Sequence, residues 1–297
     1  VNIVIDGGKG FIGSHLFQYL KDAGHEVAAL DNLMHPCANP IPSEYCDVRY
    51  INDLEPYFKN ADIVFHLAAQ INVDKSISNP DETIGINVLG TQNVLELARK
   101  YNVKVIFAST SEIYGTSQSD KISESHQLDC QSPYGASKVC GDRMCYAYYK
   151  TYGTNVVVVR NFNTFGKYQN DDSYGGVISK FTKAALKDEP LCIFGDGTQS
   201  RDYMDIKDAI QAYVLSIDLP AGSIVNFGTG KTVTINDLAK TIKQITNSKS
   251  EIKHISPRLG EVQRLCADIT LAKSLGFEPK TNFEEDLKEY VLWKRNS

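Results

Sequence analysis

Residues 1–16 read VNIVIDGGKGFIGSHL, and the reading of this stretch decides the fold. Residues 1–5 are apolar and β-branched apart from Asn2, the pattern of a strand buried on both faces. From Phe11 onward, Ile12, Leu16, Phe17 and Leu20 recur at helical spacing, so a helix is expected over 11–23. Between strand and helix, Gly7, Gly10 and Gly13 follow the spacing GxxGxxG. Such a turn brings backbone N–H groups and the positive end of a helix to a pyrophosphate. The motif says little by itself and much in this strand–turn–helix setting.

Working outward, further strands are expected at 26–30, 62–67, 104–108 and 155–159, with helices at 84–99 and 133–152. Valine- and isoleucine-rich strands alternating with helices imply a doubly wound α/β fold, Rossmann-like, its parallel sheet covered on both faces. After Arg160 the segments shorten, with loops at 166–176 and 195–200. Helices are expected at 177–187, 206–217, 235–246 and 283–293, and a strand at 191–194. This half reads as a smaller C-terminal substrate domain interleaved with the first. Residues 1–165 and about 201–226 are assigned to a dinucleotide domain, and 166–200 and 227–297 to the substrate domain. The substrate is expected in the cleft between them.

Composition narrows the partners. The chain has 297 residues, 42% hydrophobic and 23% charged, enough for a large core without disulfides. Its net charge of −5 argues against nucleic acid or an anionic membrane, both of which need a basic footprint. Seven cysteines, an odd number with no CxxC pair or Cys/His cluster, fit neither a disulfide framework nor a metal site. Reduced thiols in a cytoplasmic protein are the expectation. The first residues already read as a strand, so no leader is expected ahead of them. No apolar run reaches the length of a membrane span.

Three clusters carry chemistry. Asp31 closes the second strand, 18 residues past Gly13. A carboxylate there accepts hydrogen bonds from ribose hydroxyls and repels a 2′-phosphate, so NAD is preferred over NADP. Asp47 and Val48 are placed near the adenine. Tyr134 and Lys138 form a YxxxK pair on one face of the 133–152 helix. Lys138 is expected to lower the phenol pKa, so that Tyr134 takes a proton from a substrate hydroxyl while hydride leaves the same carbon. Ser109 to Tyr114 reads STSEIY at the end of a strand. Thr110 can share the substrate oxygen with Tyr134, and Glu112 is a candidate base for a C–H proton.

Taken in order, GGKGFIGSHL, DNL, HLAAQ, NVLGTQNVLE, STSEIYG, SPYGASK and RNFNTFG resemble the extended short-chain dehydrogenase/reductase family acting on nucleotide sugars. The likeness covers nearly the whole chain. It implies bound NAD, a catalytic set of Thr110, Tyr134 and Lys138, and a nucleotide-diphosphate sugar. It adds Asn32, Leu67, Ala68 and Ala69 to the cofactor residues. Asn163 matches a substrate contact, Arg201 and Arg258 match diphosphate contacts, Asn87 a structural position, and His66 a residue lining the cofactor cleft. It also implies a homodimer built on a four-helix interface from 84–99 and 133–152. Two residues depart from the pattern: Asp6 stands where a threonine is usual, and Lys167 where a proline is common.

Within the family, STSEIYG resembles 4,6-dehydratases, in which the glutamate collects the C5 proton once C4 is oxidised, and it equally resembles UDP-glucuronate decarboxylases. On the dehydratase reading Glu112 is the C5 base, and Ser111 stands where dTDP-glucose dehydratases carry an acid. The primary expectation is therefore a nucleotide-sugar 4,6-dehydratase. A UDP-glucose-type 4-epimerase is the alternative, with a UDP-glucuronate decarboxylase or a non-catalytic NAD-binding regulator behind it. The intact Tyr134 and Lys138 argue against the regulator.

Overall fold

The computed structural model describes residues 1–172, 174–258 and 260–297. Ser173, in the expected 166–176 loop, and Leu259, in the PRLGE stretch, lie outside the described residues. β1 (Asn2–Asp6) sits inside a seven-stranded sheet in which every pairing is parallel. On one side of it lie β2 (Glu26–Asp31) and β3 (Glu44–Tyr45). On the other lie β4 (Ile63–His66), β5 (Lys104–Thr110), β6 (Val156–Asn161) and finally the strand Ile224–Phe227. Chain order reverses between β1 and β4, so a crevice opens at their carboxyl ends.

Burial follows the pattern read from the residues. Ile3 and Ile5 face one apolar cluster, with Leu16, Phe17 and Leu20 of the helix Phe11–Asp22. Val4 faces a second cluster on the opposite side of the sheet, with Leu54, Val94 and Leu95. All six residues of β6 are buried, as a strand covered on both faces requires.

The helix Pro133–Tyr152 has its expected bounds for local reasons. Ser132 caps it, its hydroxyl accepting the Gly135 N–H at 3.0 Å, and Pro133 supplies the first turn. Gly153, at φ +68°, ends it. The helix expected over 84–99 is different. It divides into Pro80–Ile84, a π-helical turn Gly85–Leu89 and the helix Gly90–Tyr101. At the π turn Asn87 reaches across, accepting the Gln70 N–H at 2.7 Å and donating to Gln70 C=O and Ser137 Oγ, both at 2.9 Å. A π turn often marks such a functional offset.

The second lobe packs the helices Val177–Leu186, Ile235–Thr246 and Phe283–Asn296 around Leu191 and Ile193. The chain crosses between lobes more than once. The helix Ile206–Leu215 and residues Leu265, Ala272 and Phe277 all bury side chains in the core beside β1.

Candidate active site

A cavity of about 930 Å³ runs along the carboxyl ends of the central strands and beneath the second lobe. Its first half is built on the glycine turn. Gly7 adopts φ +66°, and a Cβ there would lie 2.6 Å from the Ala68 nitrogen. A Cβ on Gly13 would run into the Gly7 carbonyl. The helix then starts at Phe11 with no side-chain cap at Gly10 and no acidic residue in its first turn. Its N–H groups and its positive end are thus left to an anion. Gly7, Gly10, Phe11, Ile12 and Gly13 line this half, facing Leu67, Ala68 and Ala69. A cradle that any Cβ would fill, beside an open helix N-terminus, fits a dinucleotide.

Asp31 and Asn32 line the same half. The Asp31 carboxylate accepts N–H groups of Lys9 at 2.9 Å and Leu33 at 2.8 Å, one on each oxygen. Burial raises its pKa, opposed by those two bonds. Val48 reaches the cavity, but Asp47 does not. Asp47 is turned inward, ion-paired with Arg49 at 2.6 Å and accepting Asn32 Nδ2–H at 3.2 Å.

The residues expected to carry the reaction come together where β5 meets the 133–152 helix. Thr110, Tyr134 and Lys138 all line the cavity, with the Thr110 hydroxyl placed to oppose the effect of burial on the Tyr134 phenol. The Tyr134 N–H donates to Ser76 Oγ at 3.1 Å. Lys138 is buried, its ammonium 4.4 Å from the centre of the Phe107 ring. Burial pushes that ammonium down to about 8. The Tyr134 phenol is raised by its own burial, with Thr110 opposing. The expected lowering by Lys138 is not found: desolvation of the charged form dominates this enclosed site, and the Glu112 carboxylate adds to it.

One turn beyond Lys138, a buried network fixes the helix to the sheet. Asp142 accepts Arg160 Nε–H at 2.8 Å and Ser109 Oγ–H at 3.1 Å. Sequence reasoning missed Asp142 and Arg160, although the i+4 spacing of Asp142 from Lys138 was a usable signal.

Glu112 stands in the short 3-10 turn Ser111–Tyr114, capped by Thr110, whose hydroxyl oxygen accepts the Glu112 N–H at 3.3 Å. It lines the cavity, and burial raises its carboxyl pKa against the field of Arg201. Ser111 is buried outside the cavity lining. In the second half Asn163, Arg201 and Arg258 all line the cavity. Arg201 pairs with Glu261 at 3.1 Å. Arg258 pairs with Asp74 at 3.1 Å and covers the Phe194 ring at 4.6 Å. Asn163 Oδ1 and the Tyr203 hydroxyl are buried beside this space without a hydrogen-bond partner among the described residues. Tyr203 was not anticipated, though it directly follows Arg201 and Asp202 in the same strand-rich stretch.

His66 was expected to line the cleft, but it lies behind the lining, held between Asp6 and Thr91. Lys167 forms an exposed ion pair with Glu289, away from the cavity lining. Among the described residues no group of three His, Cys, Asp or Glu is placed to hold a metal ion. Among them, too, no helix is long and apolar enough to cross a membrane.

A parallel sheet with a glycine cradle at its point of reversal, and a Thr–Tyr–Lys set opposite, defines an NAD-dependent enzyme of the extended short-chain dehydrogenase/reductase class. The model of the NAD-dependent epimerase/dehydratase family matches residues 3–228, and the chain belongs to that family. A Methanocaldococcus jannaschii protein provisionally named a UDP-glucose 4-epimerase is 38% identical, over 99% of each chain. A Bacillus cytotoxicus UDP-N-acetyl-alpha-D-glucosaminuronate decarboxylase is 34% identical, over 98% of this chain and 97% of its own. The crystal structure of Thermotoga maritima UDP-glucose 4-epimerase with UDP-glucose superposes at TM-score 0.95, 34% identical, covering 100% of this chain and 99% of that one. A dTDP-glucose 4,6-dehydratase from Streptomyces venezuelae is more distant at 28% identity, with TM-score 0.93 over 100% of this chain and 98% of that one.

Proposed function

We propose that the protein is a UDP-sugar 4-epimerase, interconverting hexose epimers of the UDP-glucose type. The observation that carries the reading is that Thr110 and Tyr134 line the cavity together while Ser111 is turned out of it. Epimerisation at C4 takes one proton from one oxygen and returns it. Elimination across C5 and C6 would also need an acid for the departing hydroxyl, and Ser111 is not placed to supply it. The 4,6-dehydratase expected from STSEIYG therefore gives way to the epimerase. Epimerases stand among the similar relatives by name, which supports this reading, and so do decarboxylases, which support the second reading below.

In this reading Tyr134 removes the C4 hydroxyl proton, and Thr110 orients that oxygen. Lys138, one helical turn away, holds the nicotinamide ribose. Bound NAD supplies the hydride acceptor and donor, and its positive ring favours the ionised phenol. Gly7, Gly10, Gly13 and Asp31 hold the dinucleotide. Arg201 and Arg258 meet the substrate diphosphate, and Asn163 offers its unpaired Oδ1 to a sugar or nucleotide donor.

A second reading, a UDP-uronate decarboxylase, is favoured by Glu112. Its half-buried carboxyl, with a raised pKa, suits an acid that protonates C5 after carbon dioxide leaves. The separating experiment incubates the NAD-loaded protein with UDP-glucose and UDP-glucuronate in deuterated water, with products read by mass and NMR. A C4 epimer of unchanged mass and undeuterated C5 is expected. Loss of carbon dioxide would install the decarboxylase, and loss of water the dehydratase. Glu112→Gln adds a check: an epimerase keeps activity within about threefold, whereas a C5 acid or base leaves a loss of about 10²–10⁴-fold.

The same reading includes a homodimer. Leu89, Tyr146 and Tyr152, on the two helical segments expected to meet a second copy, are exposed in the single chain. Sedimentation of wild-type protein and of Leu89→Glu tests this assembly, with a dimer expected for the first and dissociation for the second.

A further inference from the structure

Asp6 ends β1 immediately before Gly7 and is 1% exposed. The structure accounts for a carboxylate at this position. Asp6 Oδ1 accepts the N–H of Leu67 at 2.9 Å and of Ala68 at 2.8 Å. His66 Nδ1 lies 2.8 Å from both carboxylate oxygens, and its Nε2 lies 2.9 Å from Thr91 Oγ1. The Thr91 hydroxyl spends its own proton on the Asn87 carbonyl at 2.7 Å. Thr91 Oγ1 is therefore an acceptor toward His66, and so is the Asp6 carboxylate. Both ring nitrogens of His66 thus face acceptors, an arrangement that an imidazolium satisfies. A threonine at position 6 has one oxygen and could not accept from both amides and the ring.

The pair lies under the cofactor half of the cavity. Leu67 and Ala68 form one wall, and Gly7, the residue after Asp6, forms the other. A carboxylate buried here without a counter-charge would act on Lys138, whose ammonium packs over the Phe107 ring that lies 5.7 Å from His66. It would also act on Asp31 and Cys46, whose ionisation already feels Asp6. An imidazolium at His66 would offset that charge at contact distance.

We propose that Asp6 and His66 are positioning residues for bound NAD: the carboxylate holds the Leu67–Ala68 backbone in place against the glycine turn, and the imidazolium neutralises it. The test reads cofactor binding rather than turnover, so it stands whichever sugar reaction the enzyme performs. NADH is titrated by fluorescence into cofactor-stripped wild-type protein, His66→Gln, Asp6→Asn and the double variant. Glutamine still donates to Asp6 but carries no charge. His66→Gln is expected to weaken NADH binding about tenfold or more, because one partner of a buried pair has gone. Asp6→Asn retains the acceptor for the two amides, and an imidazole left without its partner is, unlike a carboxylate, readily neutral near pH 7, so this variant is expected to stay within about threefold, as is the double variant. Unchanged affinity in His66→Gln overturns the proposal, and so does a double variant as weak as His66→Gln. Should His66→Gln fail to fold, ¹⁵N–¹H spectra of histidine-labelled wild-type protein decide: two protonated nitrogens on His66 at about pH 7.5 support the pair, and one overturns it.

Discussion

Lys138→Met should make the cofactor-free protein more stable, and by an amount that shrinks as pH rises. Lys138 is buried, and its ammonium is displaced from 10.5 to about 8. A tenfold change in a proton-binding constant corresponds to about 1.4 kcal/mol, so at neutral pH the charged side chain costs the fold about 3 kcal/mol. The sign follows from proton binding. Between the two pKa values the unfolded chain holds the proton and the folded chain has released it, so stability climbs with pH through that window. Relative to a methionine variant, the wild type should recover about 2 kcal/mol between about pH 7 and 9.5. Urea unfolding of both proteins at matched pH values, after NAD is stripped, measures the difference directly and cancels the groups they share. Stripping matters because bound cofactor stabilises by mass action. A methionine variant less stable at neutral pH, or a difference that does not vary with pH, would refute the reasoning. It would mean that the Phe107 ring and the surrounding dipoles fully solvate the ammonium.

Tyr134→Phe should lower kcat at least about 10²-fold while NADH titration changes little, because only the proton transfer is removed. Asp31→Ala should weaken NAD binding and narrow the preference over NADP, read by parallel titrations with the two reduced cofactors. Gly13→Ala should lose co-purifying NAD, since its Cβ would run into the Gly7 carbonyl and sit 2.9 Å from Gly8 Cα, forcing the turn open. Unaltered NAD content in that variant would show that the turn tolerates the widening.

The sheet was legible because its strands are strongly apolar and its first turn carries glycine at fixed offsets. The 133–152 helix was legible because Ser132, Pro133 and Gly153 mark both ends. The break at Gly85–Leu89 was not, because a π turn leaves the apolar spacing of 84–99 nearly helical and shows itself only in where Asn87 points. At the site, residues whose chemistry is local to a motif fell into place: Thr110, Tyr134, Lys138 and the glycines all meet in one cavity. What sequence could not settle was direction. Asp47 and Ser111 sit beside cavity residues in the chain, yet Arg49 draws one inward and the 3-10 turn buries the other. Asp6 was visible as an oddity, but its partners are 60 or more residues away along the chain.

The seventh strand of the sheet, Ile224–Phe227, arrives only after the chain has left for the second lobe and come back. A nascent chain that has emerged as far as Asn161 has the other six strands, but β6 is then an edge. Its VVVVRN sequence, wholly buried in the finished protein, would present bare N–H and C=O groups to any other strand nearby. Residues 1–161 expressed alone should therefore aggregate rather than fold. During synthesis the interval before residue 227 emerges is the window in which a chaperone has work to do.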